Sequence, residues 1–453
     1  MSLKVIELND NAIRVGDESG IILQSPGFAL AVGDGLELGD AAQQQARIQP
    51  TNSYNKYWHE LSLEPISHGN GIRHQADIAY AHLLHLAQLG NIDADVIFAV
   101  PGNFTSQQLS ILLGLAKQSP FSPVGLVDSA LAAAISADYG DAAIFADIQL
   151  HQVVLTKLVT LNSQLKTDAV IQVPGVGSQN FMDLMMQLAT SLFIQQCRFN
   201  PQHDAKSEQQ LYNALPHWLR QDDANKSSLL LELKAKNTVH TAKMPRESLV
   251  NNLSGHYKKI AQQIAALAAG KDIQLLISSE LAELPGFTAS LDNYNKVKVL
   301  SPWAINAACL NYREHIIQGV DKIHLVNSIP VDRSARQQTA GDRLASAKAS
   351  AAALPTHALF KNRAIAIDCI EIQNNEGLNG ETSAVDSIVF SLANLPVQLG
   401  RIEKQNEEVY LDSGQQEFLL NQTRVCGRQK LNLGDHIKFA EDSEEIRLIQ
   451  VRN

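Results

Sequence analysis

The feature that most constrains this chain is its hydrophobic period, which switches between strand-like and helix-like runs from Leu3 to about Ile317. Short apolar runs such as Asp95–Val100 and Ile273–Ile277 read as buried strands, whereas Ile72–Leu89, Thr105–Lys117 and Pro245–Leu267 carry helical spacing. Strands alternating with helices predict an α/β architecture. Two stretches open in the same way. Lys4–Leu8 and Ala12–Val15 flank the turn residues Asn9-Asp10-Asn11; Ala142–Ala146 and Val153–Thr160 flank Asp147–His151. Hairpin-led halves beginning near Leu3 and Ala142 imply an internal duplication of fold.

The pattern breaks after about Asp332. DRSARQQTAGDRLASAKASAAALP is rich in Ala, Ser, Arg and Gln and reads as a linker. From His357 onward the chain reads as short strands between turn clusters such as Asn374–Gly377 and Leu433–Asp435, a separate small β-domain. The expected organisation is therefore residues 1–325 in two lobes (1–140 and 141–325), a linker at 326–354 and a β-sandwich at 355–453.

Composition narrows the function classes. The 37 Lys+Arg against 47 Asp+Glu give a net charge of -10, which disfavours a nucleic-acid binder that must neutralise phosphates. Cys197, Cys309, Cys369 and Cys426 stand too far apart for a metal clip or a disulfide framework. MSLKVIELND lacks the apolar core of a signal peptide, and no apolar run reaches the ~18 residues that span a bilayer. The expectation is a cytoplasmic protein without membrane insertion.

Several stretches resemble, in order, the nucleotide-binding domain of heat-shock-70-type chaperones in the actin-like ATPase superfamily. DVIFAVPGNFTSQQLSILLGLA resembles that family's strand, Val-Pro corner and following helix. GLVDSALAAAISADYG resembles its inter-lobe segment, and VPGVGSQNFMDLM the helix start of its second lobe. LLISSELAELPGFTASL resembles the adenosine segment, and VLSPWAINAACLNYREHI the closing helix. VGDGLELGDAAQQQARIQP supplies the hairpin and small-residue helix of the first lobe. The resemblance implies a two-lobed, ribonuclease-H-like duplicated domain around a cleft.

It also implies where a nucleotide would sit, and there the residues depart. The family's hairpins use glycines so that backbone N–H groups can approach phosphates. Here Glu7 stands for the family's Asp and Asn9 for its phosphate-contacting Gly, with Asp10 beside it. In the second hairpin Asp147 is kept, but Gln149, Leu150 and His151 replace Gly-Gly-Gly. Ser278, Ser279 and Glu280 replace the Gly-Gly-Ser of the adenosine segment, Glu280 adding a carboxylate without an obvious partner. Asp128 replaces the inter-lobe Glu, and Trp58 occupies the register of the family's lysine. Side chains in place of glycines predict no catalytic residues and a pseudo-ATPase. The alternative is a divergent ATPase or chaperone whose lobes close on ATP or ADP with Mg, using Asp147 as the carboxylate near the cation.

The tail VYLDSGQQEFLLNQTRVCGRQKLNLGDHIKF resembles a forkhead-associated domain. That family reads phosphothreonine through an Arg and a Ser/Thr-Asn-Gly turn. The nearest element here is Ser391-Leu392-Ala393-Asn394, without Arg; Asn421 survives, and Arg401, Arg424 and Arg428 are the candidate substitutes. The expectation is a module that binds protein partners without requiring phosphate. The whole chain then reads as an interaction or scaffold protein with no required cofactor. His74, His82 and His85 near one helix read as a polar face rather than a metal site, because two ligands at helical spacing still need others.

Overall fold

A computed structural model of the chain describes residues 3–33, 35–66, 72–137, 141–219, 227–235, 238–271, 273–291, 294, 296–319, 322–331, 355–361, 363–367, 369–374, 387–390, 392, 395–405, 408–414, 416–421, 423–431, 433, 435–440 and 443–449. The chain divides into two compact units, Met1–Val331 and Asp332–Asn453.

Two six-stranded mixed sheets carry the first unit. In one, the strands run in the order Leu325–Val326, Ser122–Asp128, Asp95–Val100, Lys4–Glu7, Ile13–Asp17, Gly20–Ser25. In the other the order is Val297–Val299, Gln274–Ile277, Ala142–Ile148, Gln152–Leu161, Gln164–Pro174, Ser328–Pro330. Lys4–Glu7 pairs antiparallel with Ile13–Asp17 and parallel with Asp95–Val100. Ala142–Ile148 pairs antiparallel with Gln152–Leu161 and parallel with Gln274–Ile277. Each sheet thus opens as a three-stranded meander joined by short turns and continues with parallel strands. Those parallel neighbours need crossovers, which helices Gln75–Leu89, Ser106–Lys117 and Arg246–Ala268 provide.

Where the sheets meet, side chains must be small. Every residue of the helix Ser129–Ile135 is buried, and five of the seven are Ala or Ser. Its cluster takes Val5 and Ile97 from one sheet, Phe145 and Leu276 from the other, and Ile305 and Cys309 from the helix Ala304–Asn311. Each sheet has its own core besides: Ile6, Ile13, Phe98 and Leu83 in the first, and Ile144, Leu155, Phe181 and Ile260 in the second.

Some elements differ from the sequence reading. The stretch VLSPWAINAACLNYREHI, expected to hold one closing helix, forms two, Ala304–Asn311 and Arg313–Ile316, broken at Tyr312. Leu229–Val239 belongs to a two-stranded hairpin, Ser228–Ala235 with Thr238–Pro245. Residues 326–330, assigned above to the linker, instead contribute to an edge strand in each sheet, Leu325–Val326 and Ser328–Pro330. Strands Gly20–Ser25 and Gln164–Pro174 and helix Ala205–Leu219 form where no element was expected. The rest of the expected linker (332–354) and the expected turn at 375–377 lie outside the described residues.

The second unit is all β in its described residues, with one six-stranded and one five-stranded sheet. Their inward faces alternate with outward polar residues. Ile370, Ile372, Ile402, Leu411, Phe390, Phe418, Ile437 and Leu448 form the core between them.

The small-residue seam has a testable cost. Ala133 is 0% exposed, so Ala133→Leu should overpack the helix and destabilise the protein by about 1–3 kcal/mol in urea unfolding. An unchanged midpoint would mean that the seam has room the structure does not display.

Candidate functional site

The turns that end the first strand of each sheet face one another, and their polar groups are spent on each other. Asn9 is 4% exposed, and its Nδ2 donates to Asp147 Oδ2 at 2.9 Å and to the Ile148 carbonyl at 3.0 Å. Its own Oδ1 accepts from the Asn11 amide at 2.9 Å, the local Asx turn that Asn favours. Asp10 reaches the opposite way: its Oδ1 accepts from the Leu150 amide at 2.8 Å.

Gln149, Leu150 and His151 of the second hairpin all reach residues that precede the second sheet in the chain. Gln149 exchanges amide hydrogen bonds with Asn103 at 3.2 and 3.4 Å. Leu150 is buried in an apolar cluster with Phe28, Leu30, Ala42 and Ala46. His151 Nε2 lies 3.0 Å from the Asn55 carbonyl, which can only accept, so that nitrogen carries the proton. Leu150 and His151 therefore fill the space between the hairpins with contacts across it.

The start of the helix Ser178–Cys197 closes over the same hairpin. Free amides at a helix N-terminus attract anions. Here the Ser178 amide donates to the Gln149 carbonyl and the Gln179 amide to the Leu150 carbonyl, each at 2.9 Å. Gly177 makes this approach possible, because a β-carbon there would stand 2.4 Å from the backbone of His151 and Gln152.

Behind the hairpins, Arg14 bonds Glu7 Oε1 at 3.0 Å and also pairs with Glu280, 266 residues away. This corrects the reading of Glu280 as a carboxylate without a partner. Ser279 and Glu280 open the short helix Ser279–Ala282, and the buried Ser278 before them donates its amide to the Ala146 carbonyl at 3.0 Å. Glu7 Oε2 and Arg14 Nε are buried with no hydrogen-bond partner.

Asp128 stands apart from this group, at the C-terminal end of its strand. One oxygen caps the helix that follows, accepting from Ala130 N at 2.9 Å. The other accepts from Thr167 Oγ1 in the second sheet at 2.8 Å. Asp10, Asp128, Asp147, Glu7 and Glu280 thus each have a partner within the chain.

Burial dominates the electrostatics. It pushes the Glu7 carboxyl up to about 7 against the pull of Arg14. It pushes Asp10 up to about 7 against the Leu150 amide, with the nearby Asp147 adding to the rise. Asp147 rises to about 6, opposed by Arg14 and Asn9. Burial raises Asp128 as well, against the Thr167 and Ala130 hydrogen bonds.

In the second unit the candidate residues divide between the two sheets. Arg401 and Arg428 come together on one sheet, 3.1 and 3.4 Å from Glu403, with Arg428 lying over the Tyr410 ring at 4.5 Å. Arg424 belongs to the other sheet, in the strand Thr423–Val425. Asn421 is a turn residue there, with φ of 50°, and its side chain bonds Asp435 at 2.8 Å and the His436 amide at 2.9 Å. Ser391 lies outside the described residues.

The histidine reading also needs correction. His82 is 0% exposed rather than on a polar helix face. Its Nε2 lies 2.9 Å from Ser25 Oγ and its Nδ1 2.7 Å from Tyr57 OH, and burial pushes its pKa down to about 3. It is a neutral interior hydrogen-bonding residue that ties strand Gly20–Ser25 to helix Gln75–Leu89. No group of three His, Cys, Asp or Glu among the described residues is arranged to hold a metal.

Sequence reasoning named one half of most of these pairs and missed the other. Arg14, Asn103, Asn55 and Thr167 were not candidates, nor were Phe28 and Leu30. Only Arg14 left a signal, as a charge between the apolar Ile13 and Val15 of the strand Ile13–Asp17. No protein-family model matches the chain, and no curated protein matches it either.

Two measurements test this geometry. Truncating Leu150 to Ala should cost about 2–5 kcal/mol of stability, whereas Leu161→Ala, at a position 53% exposed, should stay within about 0.5 kcal/mol. Equal effects in urea unfolding would contradict the seating of Leu150. The second is a pH dependence. Glu7, Asp10 and Asp147 retain protons in the folded protein that the unfolded chain releases above about pH 4. Their contribution to stability is full below that pH and is lost as pH rises through 6 to 7. Wild type should therefore lose stability between about pH 5 and about pH 7.5, and Asp10→Asn, which still accepts from Leu150, should lose less. Identical pH slopes would remove Asp10 from the account.

Proposed function

We propose that residues 1–331 form a two-lobed, actin-like domain of the heat-shock-70 type that is catalytically silent. On this reading the chain acts as an interaction or scaffold protein. The repeated strand order, an antiparallel meander extended by parallel strands in both sheets, supports the duplicated fold.

One observation carries the silent reading: the hairpin Gln149–His151 is seated in the first lobe by its side chains and by the Leu150 amide on Asp10. A phosphate chain would need that amide and that space. It would also need Asp10 and Asp147 ionised and free, whereas both are buried, hydrogen-bonded and shifted toward the neutral form. The functional role then falls to surfaces rather than to turnover.

We read the second unit as a forkhead-associated-like sandwich that binds protein without requiring phosphate. Arg401 and Arg428 already share Glu403, so a phosphate there would compete with a carboxylate.

Calorimetric titration of the whole protein with Mg-ATP and Mg-ADP is the test. The expected result is no binding at micromolar concentration and no phosphate release. Micromolar affinity, or ATP turnover, would replace this reading with that of a divergent ATPase. Glycine at 149, 150 and 151 together should destabilise the protein and still give no hydrolysis, because Asn9 and Glu280 remain.

A further inference from the structure

The hairpins border two cavities with different linings. One, of about 600 Å³, is rich in amides, with Asn103, Gln107, Gln108, Gln149 and Gln172 among its walls. The other, of about 780 Å³, lies between Asp40 and Gln43 of the first lobe and the helices Ser178–Cys197 and Ala205–Leu219 of the second. That volume falls within the range of about 300–1,000 Å³ typical of sites that enclose a ligand.

The lining of the larger cavity is selective. Its apolar part comes from Leu150, Met182, Met185, Leu219 and Leu284. Methionine side chains are unbranched and polarizable, so they adapt to differently shaped apolar partners. Its charged part is wholly acidic: Asp40, Glu280 and Glu283, with no Lys or Arg among the described lining residues. Arg14 answers Glu280. Asp40 and Glu283 have no side-chain hydrogen bond or ion pair with any described residue. A polyphosphate would meet the negative charge of Asp40 and Glu283 here, and a cation would be drawn in.

We propose that this cavity is the docking site for a segment of a partner protein that sets Lys or Arg beside Leu-sized apolar side chains. The proposal rests on the silent-scaffold reading and names the class of partner that the cleft takes. The apolar side chains would lie on the half-buried Met182, Leu219 and Leu284, and the cation would sit between Asp40 and Glu283. Such a match of charge and apolar surface is how short segments are recognised in grooves.

Fluorescence anisotropy with the full chain tests it. The probe is a fluorescein-labelled hexapeptide of sequence LKLLKL, compared with LELLEL and SKSSKS, and with unlabelled spermine and Mg-ATP as competitors. LKLLKL should bind, the two control peptides should bind at least about tenfold more weakly, and binding should weaken as salt is raised. The double variant Asp40→Asn, Glu283→Gln changes two exposed side chains and should weaken LKLLKL by about fivefold without altering the fold. Binding that tolerates Glu for Lys, ignores the double variant, or yields to spermine as readily as to unlabelled LKLLKL would overturn the proposal. Displacement by Mg-ATP would overturn the silent reading as well, whereas absent peptide binding with absent nucleotide binding would overturn this inference alone.

Discussion

The first unit depends on one physical constraint: two β-turns with full side chains have been brought within hydrogen-bonding distance and closed to water. Glycine turns would leave backbone amides exposed between the two turns. Asn9 and Asp10 instead accept from the Asn11 and Leu150 amides, and Gln149, Leu150 and His151 fill the space. An unpaired buried polar group costs about 1–3 kcal/mol, so opening this junction without water or a ligand to replace its partners is unfavourable. The small-residue helix Ser129–Ile135 allows the sheets to approach closely enough for those bonds to form.

The same closeness shapes the charges. Four carboxyl groups are buried near the junction, and burial raises all four while the chain's own donors pull them back. Acidic residues that would serve a cation in an open cleft act here as acceptors for Leu150, Asn9 and Thr167. Residue identity at these positions thus says less about chemistry than the accessibility of the oxygens does. Asp147 and Asp128 are acidic, and both are already bonded across the cleft.

How much of this was legible in the sequence depended on whether the information was local. Hydrophobic period located the hairpins at Asn9–Asn11 and Asp147–His151 and most parallel strands, because one buried face leaves a repeat. The strand Gln164–Pro174 was missed because most of its positions are only half-buried or exposed, which blurs the alternation. Helix Ala205–Leu219 was missed because Pro216 inside it reads as a breaker. The absence of glycine from the two turns, Asn9–Asn11 and Gln149–His151, was plain in the sequence. The partners were not: Arg14 meets Glu280, and Leu150 meets Phe28, across separations that no local pattern encodes. His82 was misplaced for the same reason, since its burial depends on Ser25 and Tyr57.

The measurement that bears most directly on this account is hydrogen exchange at the Leu150 amide. If that amide is held by Asp10 in a closed junction, it should exchange as slowly as the core of the second sheet, and Mg-ATP should leave its rate unchanged. Fast exchange in the protein alone, slowed by Mg-ATP, would show a hairpin that opens to receive phosphate and would contradict the account.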